Sequence, residues 1–321
     1  MSHGPVGAID LTGLKRVLAI RLRHRGDVLL ASPLKQMIRA VAFAIAASIM
    51  AGAHALQLRD DRGITITLPR PAERIVTLSP HLAEIAFAAG AGAKLVGVST
   101  FTRHPAEAAR LPVVASYGRV DIERLIALRP ELVLAWQSGN SPLQIGRLER
   151  LGVPVFVTET RSLADIARIE RLVGVLAGSA DLAEARARRF ENEVAELRER
   201  HSGERGIAVF LEVWHTPMLT VNGEHLASDA LRLCGGRNVF AAAKALTPLA
   251  SREQLLAARP EAIITAGVGA DAPRAWRGFE ALAAVRRGRI YAIDPDLLYG
   301  QGPSFLEGAR AVCERLERAR H

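Results

Sequence analysis

Two stretches of this chain, 130 positions apart, carry one pattern. Asp121-Ile-Glu-Arg-Leu-Ile-Ala-Leu-Arg-Pro-Glu-Leu-Val-Leu-Ala is answered by Ser251-Arg-Glu-Gln-Leu-Leu-Ala-Ala-Arg-Pro-Glu-Ala-Ile-Ile-Thr. Six of the fifteen positions are identical, among them Glu123/Glu253, Pro130/Pro260 and Glu131/Glu261. Each copy reads as a cap, a short helix, a proline stop and a buried strand. Asp121 and Ser251 can accept from the first free helix N–H groups, and Ser251 with Gln254 has capping-box spacing. Proline disfavours helix at the residue before it, so the helices should end near Arg129 and Arg259. The short apolar run after each Pro-Glu suits a parallel strand covered on both faces. Two copies imply two lobes of similar build, and two such lobes imply a cleft.

The chain has 321 residues, 49% of them hydrophobic, enough for two lobes with real cores. Its net charge of +9 invites a nucleic-acid reading. Seven Lys/Arg against Asp10 and Asp27 place +5 of that charge in residues 1–55. The remaining arginines are dispersed among acids, as in Arg186 to Glu199, with no basic stripe interleaved with aromatics. Nucleic acid is therefore not an expected partner.

Met37 to Ala55 reads as a secretory signal peptide. Arg39 supplies the positive start, Ala40–Ala53 the apolar stretch, and Ala53-His54-Ala55 the cleavage site. The apolar stretch is short for a bilayer span, and no cysteine at the cut offers a lipid anchor. The expectation is export to the periplasm, with a mature start near Leu56. Residues 1–36 fit differently. Arg16 to Leu34 resembles the opening strand–loop–helix of heptosyltransferase-type glycosyltransferases, in which the residue matching Asp27 is catalytic. Nothing downstream resembles the rest of such an enzyme. Residues 1–36 therefore read as a spurious or fused extension, with Met37 as the true start.

Leu56–Pro71 reads as a turn-rich lead-in with a small hairpin around Gly63. Strands are expected at Arg74–Ser79, Leu95–Val98, Leu132–Ala135 and Val155–Val157, with a helix from Pro80 capped by Ser79 and Gly90 beyond its end. This alternation gives a first α/β lobe over 56–160 with a parallel sheet. From Ser162 to about His201 the pattern is helical, an apolar stripe from Leu163 to Leu176 continuing after a break at Gly178-Ser179. The segment 161–203 reads as a stiff connector. A second α/β lobe, 204–321, has strands at Ile207–Val213, Ala262–Thr265 and Ile290–Ile293. Cys234 and Cys313, the two cysteines of the chain, form a disulfide in an exported protein.

Arg74-Ile-Val-Thr-Leu-Ser-Pro-His-Leu-Ala-Glu, Val96-Gly-Val-Ser-Thr, the stretch from Asp121 to Trp136, and Leu233-Cys-Gly-Gly-Arg-Asn-Val-Phe together resemble the cobalamin/iron-siderophore periplasmic binding proteins. These are the helical-backbone substrate receptors of ABC importers, and the vitamin B12 branch is the nearest. The resemblance spans about residues 73–316. It implies a class III fold: two α/β lobes with parallel sheets joined by a long rigid helix, monomeric when free, with ligand in the cleft. It implies no catalysis and no resident cofactor, a corrinoid being the cargo. It also implies that Glu123 and Glu253, one per lobe, dock onto arginines of an ABC permease dimer in the inner membrane. A first-turn glutamate also stabilises its own helix through the dipole, but the two copies keep it while their neighbours vary, which favours docking.

A corrinoid is a broad apolar macrocycle with amide arms, so its receptor needs flat aromatic surface and a few hydrogen-bonding groups. Trp136 follows its strand at the carboxyl end, where α/β proteins bind ligands, and matches a tryptophan of the B12 receptors. Trp214 ends the first strand of the second lobe and is placed to face it. Phe101 and Tyr117 occupy loop positions that carry tyrosine and tryptophan in those receptors. Asp296 matches an acidic contact, and Tyr299 lies beside it. Core packing is the rival account of each aromatic, a readier one for Phe101 than for Trp136. The family's second-lobe tryptophan corresponds to Thr247 and an arginine contact to Gly300, so ligand identity stays open. Haem or a ferric siderophore is the alternative cargo, with Arg103, His104 and Tyr299 as its candidates. His81, His104, His215 and His225 are scattered without zinc-site spacing, and no metal site is expected. There is no nucleophile elbow, P-loop or dinucleotide turn; Gly267-Val-Gly-Ala lacks the third glycine in phase.

Overall fold

A computed structural model describes residues 55–116, 118–266 and 271–321. The readings placed on residues 1–54, on Tyr117 and on Gly267–Ala270 lie outside the described residues. Strands β1 (Leu56–Arg59) and β2 (Thr65–Leu68) pair antiparallel as the expected hairpin, with Gly63 left-handed in its turn.

The first lobe follows: β3 (Ile75–Thr77), α1 (Pro80–Ala88), β4 (Leu95–Ser99), β5 (Val113–Ser116), β6 (Arg119–Val120), α2 (Ile122–Ala127), β7 (Leu132–Trp136), α3 (Pro142–Arg150) and β8 (Val155–Thr158). Its sheet runs β6-β5-β4-β3-β7-β8, parallel except for β6. Two apolar layers sandwich it, one on Leu82, Ile85 and Phe156, the other on Val76, Leu125 and Leu148. Ser79 sits at the N-cap of α1 but does not cap it; its hydroxyl reaches Asn140 instead.

Helices α4 (Leu163–Ala177) and α5 (Ala180–Arg200) form the connector. Left-handed Gly178 separates them, and their chains approach closely at Gly174 and Ala183. Each helix serves both cores. Leu163, Ile166 and Ala167 of α4 join the second-lobe core, whereas Ile169, Val173 and Leu176 join the first. In α5 the assignment reverses along the chain, from Ala183 in the first core to Phe190, Val194 and Leu197 in the second.

The second lobe contains β9 (Ile207–Trp214), β10 (Leu219–Thr220), α6 (Leu226–Leu233), β11 (Gly236–Asn238), α7 (Arg252–Ala258), β12 (Ala262–Thr265), α8 (Ala272–Ala275), α9 (Ala283–Arg286), β13 (Ile290–Ala292), α10 (Pro295–Leu298) and α11 (Phe305–Arg320). Strand β9 pairs parallel with β12 and with β11, and β12 with β13; β10 is antiparallel. Cys234 and Cys313 are bonded, joining the end of α6 to α11.

The repeat folds alike in both lobes. Asp121 and Ser251 accept from Arg124 and Gln254 N–H, and Ser251 completes its capping box. Arg129 and Arg259 stop the helices in the left-handed region, at φ 47° and 48°. Glu131 and Glu261 then make equivalent bonds. Glu131 accepts from Glu73 N–H and pairs with Arg70; Glu261 accepts from Ala208 N–H and pairs with Arg205. These carboxylates fasten each repeat strand to the lead-in of the neighbouring strand.

Candidate functional site

Parallel strands bring their carboxyl ends to one edge of each sheet. On the first lobe this edge carries Ser79, the loop from Ser99 to Arg103, Trp136 and Thr158. On the second it carries Trp214, Asn238, Thr265 and the segment from Asp294 to Gln301. Loops of the two edges touch. Arg103 Nη1 pairs with Asp296 Oδ2 at 2.9 Å, and Glu84 accepts from both the N–H and the hydroxyl of Ser304. The two described edges are thus bridged at two points.

Trp136 ends β7 half-buried. Its indole lies on Gly139, where a Cβ would stand 1.8 Å from the ring, and edge-on to His81 at 5.3 Å between centroids. Asn140 holds this turn by accepting from Trp136 N–H at 2.7 Å and donating to Leu78 O at 3.1 Å. The Trp136 Nε1 and His81 Nε2 atoms are buried without hydrogen-bond partners. Burial alone lowers the His81 imidazole to about 3, so it is neutral at ordinary pH.

The remaining aromatics divide by exposure. Trp214 is 54% exposed, its Nε1 donating to Thr216 O at 2.8 Å. Phe101 is 66% exposed and left-handed, at φ 64°. Core packing, expected more readily for Phe101 than for Trp136, therefore describes Phe101 wrongly; Trp136 is the better buried of the two. Tyr299 turns its hydroxyl inward, buried without a partner, while its ring meets His225 edge-on. Burial, then the Glu212 carboxylate, push that hydroxyl far above its ordinary range. Asp296 is exposed and opposes Arg103. Gly300 cannot stand in for an arginine, because a Cβ there would lie 2.2 Å from the Asp296 carbonyl oxygen.

Sequence reading passed over several residues of these edges. Glu212, fully buried near the end of β9, holds His215 Nδ1 at 2.6 Å and accepts from Trp276 Nε1 at 3.3 Å. A glutamate inside the apolar run from Ile207 to Trp214 was the available signal. Thr77 Oγ1 and Thr160 Oγ1 on the first edge, and Thr265 Oγ1 and Gln301 Oε1 on the second, are further buried atoms without partners. Buried polar atoms are normally paired, so each of these is an exception to the rule. Glu123 and Glu253 lie elsewhere, exposed in the first turns of α2 and α7.

Residues 75–297 match the family model described as periplasmic binding protein. The chain belongs to the periplasmic binding protein family. Members of this family are binding proteins, not enzymes. The chain is 33% identical over 250 residues to the vitamin B12-binding protein of Vibrio cholerae, covering 78% of this chain and 91% of that one. The crystal structure of the periplasmic vitamin B12 binding protein of Vibrio cholerae superposes with a TM-score of 0.73 at 32% identity, covering 78% of this chain and 99% of that one. A periplasmic heme binding protein from Pseudomonas aeruginosa gives a TM-score of 0.67 at 26% identity, covering 75% and 91%. This periplasmic binding protein thus shares its class III architecture with vitamin B12 and haem receptors.

Proposed function

We propose that this protein is exported, captures a corrinoid in the groove between its lobes and delivers it to an ABC permease dimer. The carrying observation is the pair of exposed rings, Trp214 and Phe101, at the carboxyl ends of the two sheets. Flat rings suit a macrocycle, and a few polar groups beside them suit its amide arms. Similarity to vitamin B12-binding proteins at 33% identity supports the same cargo.

The groove has a physical route to opening. Arg103 and Asp296 are both well exposed, and such a pair is worth only about 0–1 kcal/mol. It can part for an arriving ligand at little cost. The connector, embedded in both cores, keeps the movement local, so recognition rests on a largely preformed surface. Glu123 and Glu253 are the proposed permease contacts, because both carboxylates are solvent-exposed, one on each lobe.

Haem is the second reading, favoured by the similarity to a periplasmic heme binding protein at 26% identity. Titration calorimetry with cyanocobalamin, cobinamide, haem and ferric siderophores decides between them. Saturable binding of cyanocobalamin or cobinamide is expected. Binding of haem with neither corrinoid would overturn the first reading in favour of the second. N-terminal sequencing of the secreted protein tests export, with a start near Leu56 expected.

A further inference from the structure

Among the described residues, one cluster of side chains able to ligate a metal lies away from these strand edges. It stands at the amino-terminal edge of the second sheet, the opposite end of β9 from Trp214. His201 follows the last residue of α5, Glu204 lies in the turn leading to β9, and Glu317 belongs to the last turns of α11. The His201 side chain is 3% exposed. Its Nδ1 stands 3.4 Å from Glu204 Oε1 and 3.5 Å from Glu317 Oε1. All three donor atoms fall within 4.8 Å of one another.

His201 Nδ1 shares a long hydrogen bond with Glu204 Oε1, and the spacing also suits a bound cation. Direct N–H···O bonds centre on about 2.9–3.0 Å, and carboxylates competing for one ring proton should pull one of these distances to that value. Neither distance is that short. Around a tetrahedral Zn2+ with metal–donor bonds of about 2.0–2.1 Å, neighbouring donors stand about 3.3–3.4 Å apart. The two distances from His201 fit that figure. Imidazole nitrogen with carboxylate oxygen is also a donor set that zinc accepts.

The surroundings complete the case. Arg320 lies against Glu204 Oε2 and donates to the carbonyl oxygens of Arg205 and Cys234, which leaves Oε1 free to turn toward His201. Two carboxylates are set against the Arg320 guanidinium in charge, and Arg198 also lines the adjoining cavity. A cavity of roughly 420 Å³, lined by Arg198, His201, Glu204, Asp229 and Arg232 among others, opens beside His201 and Glu204. It gives the ion a path and leaves room for water as a fourth ligand. Asp229 and Arg232 bond to each other there at 3.0 Å, so they do not compete for the cation.

We propose that His201, Glu204 and Glu317 bind a divalent transition-metal cation, with Zn2+ the best match, through three protein donors and one open position. The site is independent of the groove and of the cargo. It ties the end of α5 to α11 beside the Cys234–Cys313 bond, and so pins the corner of the second lobe on which the connector rests.

The test uses the untagged full chain and Zn2+ alone. Calorimetry should give one saturable site, and Zn2+ at about a hundredfold excess over its dissociation constant should raise Tm by about 5 °C or more. Co2+ should give the intense visible absorption of a tetrahedral ion. His201→Ala and Glu317→Gln should each weaken Zn2+ binding about tenfold or more, whereas Glu107→Gln, remote from the cluster, should leave it unchanged. The Glu317 side chain is 49% exposed, so Glu317→Gln can be read even if His201→Ala fails to fold. Absence of saturable Zn2+ binding below about 1 mM would overturn the proposal. So would binding of undiminished affinity in Glu317→Gln.

Discussion

The Glu84 carboxylate accepts both the N–H and the hydroxyl of Ser304, 220 residues later and on the other lobe. Ser304 is the N-cap residue of the 16-residue helix α11, so a side chain of the first lobe caps a helix of the second. The helix dipole favours the negative charge there. Burial nevertheless pushes the Glu84 carboxyl above its ordinary range, with the bonds from Ser304 acting in opposition. Truncation and neutralisation should therefore differ. Glu84→Ala removes the acceptors and should cost about 1–3 kcal/mol, whereas Glu84→Gln keeps an acceptor without the buried charge and should be nearly neutral. Urea denaturation of both variants checks this, and equal losses in the two would contradict it.

Glu170 of α4 lies close to Glu84 in charge terms and is held less well. It is 2% exposed, its Oε2 has no partner, and burial raises its carboxyl to about 7, outweighing Arg186 and Arg171. Its ordinary value is 4.5, so between these pH values the folded protein holds more protons than the unfolded chain. The stability linked to this group is full below pH 4.5 and declines as pH rises through 7. Glu170→Gln should match the parent at pH 4 and exceed it by about 1–2 kcal/mol at pH 8. Thermal unfolding at the two pH values is the measurement; an equal difference at both would remove the assignment.

Trp214 and Trp136 should separate binding from stability. Trp214 is 54% exposed, so Trp214→Ala should leave Tm nearly unchanged while weakening cyanocobalamin about tenfold or more. Trp136 packs on His81 and Gly139, so Trp136→Ala should lower affinity and also cost about 2–4 kcal/mol of stability. Full affinity in both variants would remove these rings from the site.

Glu123 and Glu253 should matter only in the presence of the transporter. Reversing both to arginine should abolish most uptake in membrane vesicles carrying the permease and leave ligand affinity within about twofold. Uptake equal to that of the parent would leave them as helix-stabilising residues alone.

Much of the architecture was written locally, and most of the site was not. The repeat announced itself because caps, proline stops and strand patterns act within about fifteen residues, and both copies fold as read. Trp136 and Trp214 were legible as aromatics at strand ends. The exposure of Phe101 and its left-handed backbone were not readable from its neighbours in sequence. His81, Glu84 and Glu212 acquire meaning only from burial and from partners far away in sequence, as with Glu84 and Ser304. The shared Glu131/Glu261 likewise attracted no role until each was seen bonding to a neighbouring strand.

The hairpin of α4 and α5 has a consequence for dissection of the molecule. Its apolar residues are divided between the two cores, in opposite order along the two helices. A gene fragment ending before Leu163 would leave the first sheet without Ile169, Val173 and Leu176, and one beginning after Arg200 would strip the second of Phe190, Val194 and Leu197. No cut on either side of the hairpin yields two self-sufficient halves. The lobes are two in shape and one in folding.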